Sequence, residues 1–270
     1  MPTAGELLAA SRLPRNEAAM LLAAACGVDR VVFVAYPERT VLADAAARFT
    51  DWSARRLSGE PIAYLLGTRE FYGLALRVDH SVLIPRPETE LLVDLALERI
   101  GRPGVTVLDL GTGSGAIAIA IARHRPTAIV HAVDASAAAL ATARDNAASH
   151  RVAVEFIESD WFDALGSATF DLVVANPPYI ASADPHLREG DLRFEPVTAL
   201  ASGADGLDAI RRIVRDAPSH LAAGGVLAIE HGYDQGASVR ALFVDQGFSA
   251  VESRRDLAGH DRITSGVGAS

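Results

Sequence analysis

The sequence predicts an α/β fold: a doubly wound, mostly parallel seven-stranded sheet preceded by a small N-terminal helical domain. From Val105 onward, short apolar strands alternate with helical segments, and most of the strands are too apolar to have a face in water. This alternation indicates a parallel sheet covered by helices on both sides. In the first sixty residues, Ala and Leu recur at helical spacing in runs separated by Pro14 and Pro37, which predicts a small antiparallel bundle.

The individual elements follow from local patterns. The N-terminal helices are predicted at GELLAAS, NEAAMLLAAACG and DAAARFTDWSARRL. A hairpin is predicted in PIAYLLGTREFYGLALRVDHSVLIP, where alternating segments surround Gly67 and Gly73. The strands of the sheet are predicted at VTVLDL, AIVHAVD, VAVEFIES, FDLVVAN and GGVLAIE, and a closing antiparallel hairpin at GFSAVESRRD and RITSGVGA. The helices around the sheet are predicted at ETELLVDLALERI, AIAIAIARH, SAAALATARDNAAS and LDAIRRIVRDAPSHL.

Charge and composition exclude several classes of protein. The 270 residues carry a net charge of −9, which argues against a general nucleic-acid binder, because such a protein carries a basic footprint. All 25 basic residues are arginine, so a P-loop lysine and a Schiff-base lysine are absent. Cys26 is the only cysteine, which excludes an intrachain disulfide or a cysteine-based zinc site, and we expect no metal. No signal peptide or membrane-spanning run is present, and we expect a soluble cytoplasmic protein.

A glycine-rich loop follows the first strand of the sheet. VTVLDL runs into this loop and then into a helix, and the next strand ends at Asp134, nineteen residues beyond Gly115. Glycines let a backbone approach a ligand closely, and a carboxylate at the position of Asp134 can accept hydrogen bonds from both hydroxyls of a ribose. A helix N-cap is the other explanation for Asp134. We predict an adenosyl-cofactor site whose loop residues are Gly111, Thr112, Gly113, Ser114 and Gly115.

Two cofactors fit this loop. NAD would place its pyrophosphate at the helix N-terminus, and Gly111, Gly113 and Ala116 match the dinucleotide pattern. S-adenosylmethionine has no phosphate, and a D-x-G-x-G-x-G loop, in which Asp109 supplies the leading carboxylate, suits its methionine part. At the end of the third strand, Asp160 can bond the adenine amine and Trp161 can cover the adenine ring. A capped turn with core aromatic residues is the alternative at Trp161.

The strand FDLVVAN ends abruptly in Asn176-Pro177-Pro178-Tyr179. Prolines lack an N–H and fix φ, so the chain cannot continue as a central strand, and a rigid turn remains where open α/β sheets bind ligands. The carbonyl oxygens of Asn176 and Pro177 can accept hydrogen bonds from a planar NH2 group, on which Tyr179 can stack. An ordinary proline-terminated loop is the alternative. A hydride transferase has no use for a clamp on an NH2 group, so this turn favours the methyl donor.

The predicted chemistry is the methylation of a nitrogen whose lone pair is delocalised. The only cysteine lies in an apolar helical run, so the route of the cytosine-C5 enzymes, which requires a thiolate, is excluded. The clamp can orient the NH2 group in line with a sulfonium methyl and withdraw positive charge as it develops. The proton can leave after methyl transfer, when the nitrogen is acidic.

Further motifs accompany this turn in a specific order. They are GEPIAYLLGTREFYG (Gly59 to Gly73), LIPRPETE (Leu83 to Glu90), DLGTGSGAIAIA, NPPYI, FEPVTAL (Phe194 to Leu200) with the following DGL, LAIEHG and DLAGHDR. The turn itself is shared with DNA and RNA enzymes that methylate amino groups, whereas the combination of motifs is specific. With these motifs, the chain resembles the release factor glutamine methyltransferases (the HemK/PrmC family) from about residue 15 to its end.

The resemblance implies a Rossmann-like methyltransferase that transfers a methyl group from S-adenosylmethionine to N5 of the glutamine in the GGQ motif of class I release factors. It implies that residues 1–72 recognise the substrate, 73–84 form a linking hairpin and 85–270 form the catalytic domain. Asn176, Pro177 and Tyr179 match the catalytic clamp, which with Pro178 also binds the substrate. Asn176 is also expected to contact the cofactor. Arg86 and Glu88 match the PRPETE element, which is expected to shape the lid of the cavity.

Some alternatives and departures remain. The tail carries His260 where the family pattern D-x-G-x-[RD]-R leads us to expect Arg. Glu230 and His231 could form an acid–base pair, although a polar strand end is the simpler reading. A DNA or RNA adenine-N6 methyltransferase could use the same clamp, but the acidic charge argues against it. A protein that only binds nucleotide would leave the clamp unexplained. We expect release factors as the protein partners of a monomer, with no nucleic acid and no membrane.

Overall fold

The computed structural model describes residues 1–268 and divides into two compact units. The first contains Met1–Thr68 together with the short segment Gly190–Phe194, and the second contains the remaining described residues. Among residues 1–268, none of the helices combines the length and apolar character that crossing a bilayer requires. Ala269, the last residue of the predicted closing strand, lies outside the described residues.

The first unit is helical, and the predicted N-terminal helical region is confirmed. A capping box at Thr3 and Glu6 starts the first helix, and Gly27 ends the second in the left-handed conformation that glycine adopts without strain. The apolar faces enclose a separate core around Leu21, Leu22 and Phe49. The helices are α1 (Ala4–Ala10), α2 (Arg15–Cys26), α3 (Val31–Ala35), α4 (Ala43–Leu57) and α5 (Ile62–Leu66).

The predicted hairpin is only partly correct. Pro61 and Gly67 bound a helical turn, α5, instead of a strand, because Gly67 takes a left-handed conformation and caps α5. Strands β1 (Thr68–Phe71) and β2 (Leu74–Arg77) pair in a two-stranded sheet around Tyr72 and Gly73, both of which have positive φ. From Arg69 onward the hairpin belongs to the second unit.

The second unit is the predicted seven-stranded sheet. Its strand order is β5-β4-β3-β6-β7-β9-β8, with neighbours parallel from β5 to β7 and antiparallel at β7–β9 and β9–β8. Besides α5, the predictions above did not include α3 or the last helix, α10. In chain order the elements are α6 (Glu90–Arg99), β3 (Thr106–Leu110), α7 (Ala116–His124), β4 (Ile129–Asp134), α8 (Ala137–His150), β5 (Glu155–Glu158), β6 (Phe170–Ala175), α9 (Asp208–Asp216), β7 (Leu221–Glu230), α10 (Gly236–Asp245), β8 (Ser249–Arg255) and β9 (Asp261–Val267).

The sheet is buried on both faces, as its apolar strands predict. In β3, Val107 packs into the core formed with α6 and α7, whereas its neighbour Leu108 packs into the core formed with α9 and α10. The chain adds β4 and β5 on one side of β3 and then continues with β6 on the other side. The strand order therefore reverses between β3 and β6, and ligands of open α/β sheets bind at the carboxyl ends of the strands at such a point.

Candidate active site

A cavity of about 800 Å³ lies at the carboxyl ends of the central strands, within the second unit. Its volume is in the range of small-molecule sites, about 300–1,000 Å³. Its wall includes seven of the predicted site residues: Gly111, Gly113, Asp134, Asp160, Trp161, Asn176 and Pro178.

The glycine loop contributes two residues to this wall. Gly111 and Gly113 have φ of +69° and +55°, which side chains rarely permit. A Cβ on Gly111 would lie 3.3 Å from the Trp161 ring, so the loop and this ring pack closely. Trp161 itself has a φ of +53°, and it reaches the cavity wall from the turn after β5.

Four other predicted cofactor residues lie behind the wall. Asp109 is fully buried, and its Oδ2 accepts hydrogen bonds from the Thr112 hydroxyl (2.7 Å) and the Ala118 N–H (3.2 Å). Burial raises the pKa of Asp109 to about 7. The Ser114 carbonyl accepts a hydrogen bond from a buried asparagine side chain, and a Cβ on Gly115 would lie 2.7 Å from a side-chain atom of α7. The structure therefore places these residues where they shape the loop.

The Asp134 carboxylate ends β4 and faces the cavity. Its Oδ2 accepts the Gly113 N–H and its Oδ1 accepts the Ser136 N–H, both at 2.9 Å. Burial raises its pKa, opposed by these two hydrogen bonds. The N-cap of α8 is Ser136, whose side chain accepts the Ala139 N–H, so Asp134 itself is not the helix cap.

Asp160 is held by an arginine that sequence reasoning did not identify. Arg212, on α9, donates to Asp160 Oδ2 at 2.7 Å and to Asp163 at 3.0 Å. Asp160, Arg212 and Asp208 all line the cavity. The cavity wall thus contains three acidic residues, which are Asp134, Asp160 and Asp208. Its arginine, Arg212, already pairs with two carboxylates. This wall suits a ligand with positive charge better than the pyrophosphate of a dinucleotide.

Asn176 lies at the cavity with its two amide ends in different surroundings. Its Nδ2 donates to Thr89 Oγ1 at 3.0 Å, whereas its Oδ1 is buried without a hydrogen-bond partner. An unpaired buried acceptor is costly, about 1–3 kcal/mol, unless a ligand satisfies it. The free Oδ1 therefore fits an NH2 group that enters the cavity.

The rest of the turn has mixed placement. Pro178 lines the cavity, whereas Pro177 is buried behind it. Tyr179 packs against the core below α9, and its hydroxyl donates to Glu230 Oε1 at 3.4 Å. Burial and the neighbouring Glu230 charge raise the pKa of Tyr179. The side chain of Tyr179 is thus directed to a buried carboxyl group behind the cavity.

The PRPETE element is anchored by a buried carboxylate. Arg86 donates to Glu195 Oε1, and Glu195 Oε2 accepts the Ile84 N–H at 3.0 Å. Glu195 is 3% exposed, whereas the Arg86 side chain is partly exposed. The buried carboxylate thus anchors the segment before α6. Glu88 lies near Glu230 and its charge contributes to raising the pKa of Glu230. Neither Arg86 nor Glu88 is part of the cavity wall.

The tail and the strand end after β7 have structural partners. Arg262 donates to Asp256 at 2.8 Å, and His260 packs at 5.6 Å from the Tyr233 ring. His231 is fully buried between the Gly232 carbonyl and the Thr264 hydroxyl, both at 2.9 Å. No acid–base pair is formed with Glu230, whose carboxyl faces Tyr179 instead.

Known proteins match the whole chain. The PrmC N-terminal domain model matches residues 3–67 and the Methyltransferase small domain model matches residues 87–189. The Release factor glutamine methyltransferase of Pseudomonas aeruginosa is 51% identical and covers 98% of this chain and 99% of its own length. The protein of the same name from Neisseria gonorrhoeae is 48% identical and covers 98% of this chain and 97% of its own length.

The chain belongs to the release factor glutamine methyltransferase family. The resemblance drawn from its motifs is confirmed, and so is the assignment as a methyltransferase. More distant solved structures share the fold. A methyltransferase from Pyrococcus furiosus superposes with a TM-score of 0.57 at 18% identity, covering 82% of this chain and all of its own. The T. thermophilus 16S rRNA N2 G1207 methyltransferase superposes with a TM-score of 0.55 at 21% identity, covering 74% of this chain and 49% of its own.

The cavity of this family member has a wall that sequence reasoning did not assign. Ile180 donates its N–H to the Leu200 carbonyl and accepts the Ser202 N–H, each at 2.9 Å. These bonds bring Pro196, Thr198, Ala199, Ala201 and Ser202 to the cavity. A Cβ on Gly206 would lie 2.2 Å from the Tyr179 carbonyl, so this position requires glycine. The FEPVTAL and DGL motifs were visible in the sequence, but their link to the turn depends on the fold.

Proposed function

We propose that this chain transfers a methyl group from S-adenosylmethionine to N5 of the glutamine in the GGQ motif of class I peptide chain release factors. The observation that carries the proposal is Asn176, a residue of the cavity wall whose buried Oδ1 has no hydrogen-bond partner among residues 1–268. It lies on the strand end that follows β6, beside the glycine loop that follows β3. A side-chain amide supplies the N–H that this oxygen lacks.

The residues of the cavity fit S-adenosylmethionine. Asp134 would hold the ribose, Trp161 and Asp160 would hold the adenine, and the backbone at Gly111 and Gly113 would approach the methionine part. Asp109, Thr112, Ser114 and Gly115 would support that loop from behind, according to their hydrogen bonds and packing. When bound, the cofactor supplies an electrophilic methyl group on a sulfonium.

The clamp acts on the orientation of the substrate amide. The nitrogen of an amide is a poor nucleophile because its lone pair is delocalised into the carbonyl. Acceptors at Asn176 Oδ1 and at the Pro177 carbonyl would bind the two hydrogens of the NH2 group and leave the lone pair directed at the donor. The same oxygens stabilise positive charge as the new N–C bond forms.

Proton loss follows methyl transfer. The N–C bond would form as the sulfonium–methyl bond breaks, with S-adenosylhomocysteine as the leaving group. The nitrogen then loses one of its two hydrogens to solvent as a proton, so the product is the N5-methylamide. Pro178 and Trp161 line the cavity and would limit water around the reacting group. Tyr179 supports the turn through Glu230, and Arg86 and Glu88 would shape the cavity from the segment before α6.

Recognition of the release factor is assigned to the helical region, residues 1–72 of the predicted division. The support is that residues 3–67 match the PrmC N-terminal domain and that the helical unit has a core of its own. Residues 73–84 would link it to the catalytic domain, residues 85–270. We place the reaction in the cytoplasm, where release factors act, with a monomeric enzyme and without nucleic acid or membrane.

The decisive experiment uses the purified chain with methyl-labelled S-adenosylmethionine and a class I release factor. The expected result is label on the release factor, lost when the GGQ glutamine is replaced by asparagine. Duplex DNA and transfer RNA are the matched alternative substrates, because an adenine-N6 methyltransferase would use the same clamp. Label on either nucleic acid, with none on the release factor, would refute the proposal.

A further inference from the structure

The oxygen and the NH2 group of the Asn176 amide need different hydrogen-bond partners. The orientation of the amide therefore determines which of the two is available to a substrate. The Nδ2 end donates to Thr89 Oγ1 at 3.0 Å, and the Oδ1 end remains unpaired. Thr89 is 4% exposed and lies between the 3-10 turn Pro87–Thr89 and α6. If the amide were turned over, its NH2 group would face the cavity and repel the N–H donors of a substrate amide.

A threonine hydroxyl can accept or donate. In this structure the Thr89 hydroxyl accepts, with Asn176 Nδ2 as the donor. An Asn176 amide turned the other way would take its NH2 group away from this buried acceptor.

The Thr89 hydroxyl does not cap α6. It occupies the N-cap position of α6, where Thr normally accepts a backbone N–H of the first turn. Here its backbone is in the right-handed helical region and its side chain makes no capping hydrogen bond. A residue type that commonly caps helices therefore directs its side chain to Asn176.

We propose that Thr89 is a positioning residue for methyl transfer: its buried hydroxyl accepts the hydrogen bond from Asn176 Nδ2 and so keeps Oδ1 available for the NH2 group of the substrate. The inference rests on the proposed function, because an acceptor is required there only if the substrate presents an NH2 group. Thr89 acts through Asn176 and does not touch the reacting atoms.

The test compares Thr89→Val, which keeps the branched shape, with Thr89→Ser, which keeps the hydroxyl. In Thr89→Val we expect kcat on the release factor to fall about tenfold, the upper end for one lost neutral hydrogen bond. The Kd for S-adenosylmethionine should stay within about twofold, and Thr89→Ser should restore most of kcat. Thr264→Val is the matched control, since it removes another buried hydroxyl of the same unit, which bonds His231 and not Asn176; its kcat should be unchanged.

A double variant tests whether Thr89 acts through Asn176. In the Asn176→Ala background, Thr89→Val should cause no further loss of kcat, because the group that it positions is already absent. If the double variant loses kcat by the product of the two single losses, the inference is wrong. A Thr89→Val enzyme with normal kcat, or a Thr89→Ser enzyme as slow as Thr89→Val, would also overturn it. Failure of the proposed function gives a different result: the unmodified enzyme would then leave the release factor unlabelled.

Discussion

Asp134 Oδ2 accepts the backbone N–H of Gly113 at 2.9 Å, so the carboxylate that ends β4 holds the glycine loop that follows β3. Its second oxygen accepts the Ser136 N–H at the start of α8. One side chain thereby fixes the loop and remains at the cavity wall. Its structural and ligand-binding contributions can be separated by substitution.

Asp134→Ala should weaken the binding of S-adenosylmethionine about 10- to 100-fold, because charge-assisted hydrogen bonds to the ribose contribute about 1.5–3 kcal/mol each. Asp134→Asn keeps one acceptor for the Gly113 N–H but loses the charge, so its affinity should be intermediate. Isothermal titration calorimetry measures both. Equal affinities in all three proteins would show that Asp134 only holds the loop.

Asn176→Ala should lower kcat on the release factor by about 10²–10³, by analogy with the loss of one donor from an oxyanion hole. The Kd for S-adenosylmethionine should be almost unchanged, since the cofactor is held mainly by the loop and Asp134. Single-turnover kinetics with a saturating donor isolates the chemical step. A near-normal rate would contradict the clamp.

Glu230→Gln should change how stability depends on pH. The folded-state pKa of Glu230, about 7, is above its ordinary value of 4.5, so its contribution to stability is fully present below about pH 4.5 and is lost as pH rises to about 7. Thr89, Tyr179, Glu88 and Arg262 are the groups that act on this carboxyl. The amide variant should lack this loss and gain up to about 3 kcal/mol relative to the original protein between pH 5 and pH 8.

Thermal unfolding followed across that pH range measures this difference. Glu252→Gln is the matched control, because Glu252 is about half exposed on β8 and pairs with Arg99 at 3.3 Å. Its curve should run parallel to that of the original protein. If the stability of Glu230→Gln also depends on pH as that of the original protein does, Glu230 does not change protonation in this range.

Removal of the helical region should separate substrate recognition from catalysis. A start near Val78 would delete Phe71 and Leu76, which are buried in the core of the second unit, so the cut belongs at Arg69. The shortened protein should still bind S-adenosylmethionine but have a higher KM for the release factor, because uniform binding energy has been removed. A short GGQ peptide is the control, and both proteins should methylate it equally. Equal kcat/KM on the intact release factor would exclude the helical region from recognition.

The sequence alone determined the parts of this protein that depend on local patterns. Apolar runs separated by helical segments predict a sheet buried on both faces, and the glycine loop and Asp134 follow successive strands. The turn at Asn176 is rigid because of its two prolines. Local patterns were less reliable near Gly67, where alternating apolar residues suggested a strand but the left-handed glycine caps a helix.

Only the tertiary structure determined which distant side chains form hydrogen bonds with these residues. Thr89 and Asn176 are 87 positions apart, and Arg86 and Glu195 are 109 apart. Such pairs form because the strand order reverses between β3 and β6 and brings β7 beside β6. The same order puts Glu230 behind the clamp. Periodicity records which face of an element is buried, but it carries no information about which distant side chain that face meets, so these hydrogen bonds could not be read from the sequence.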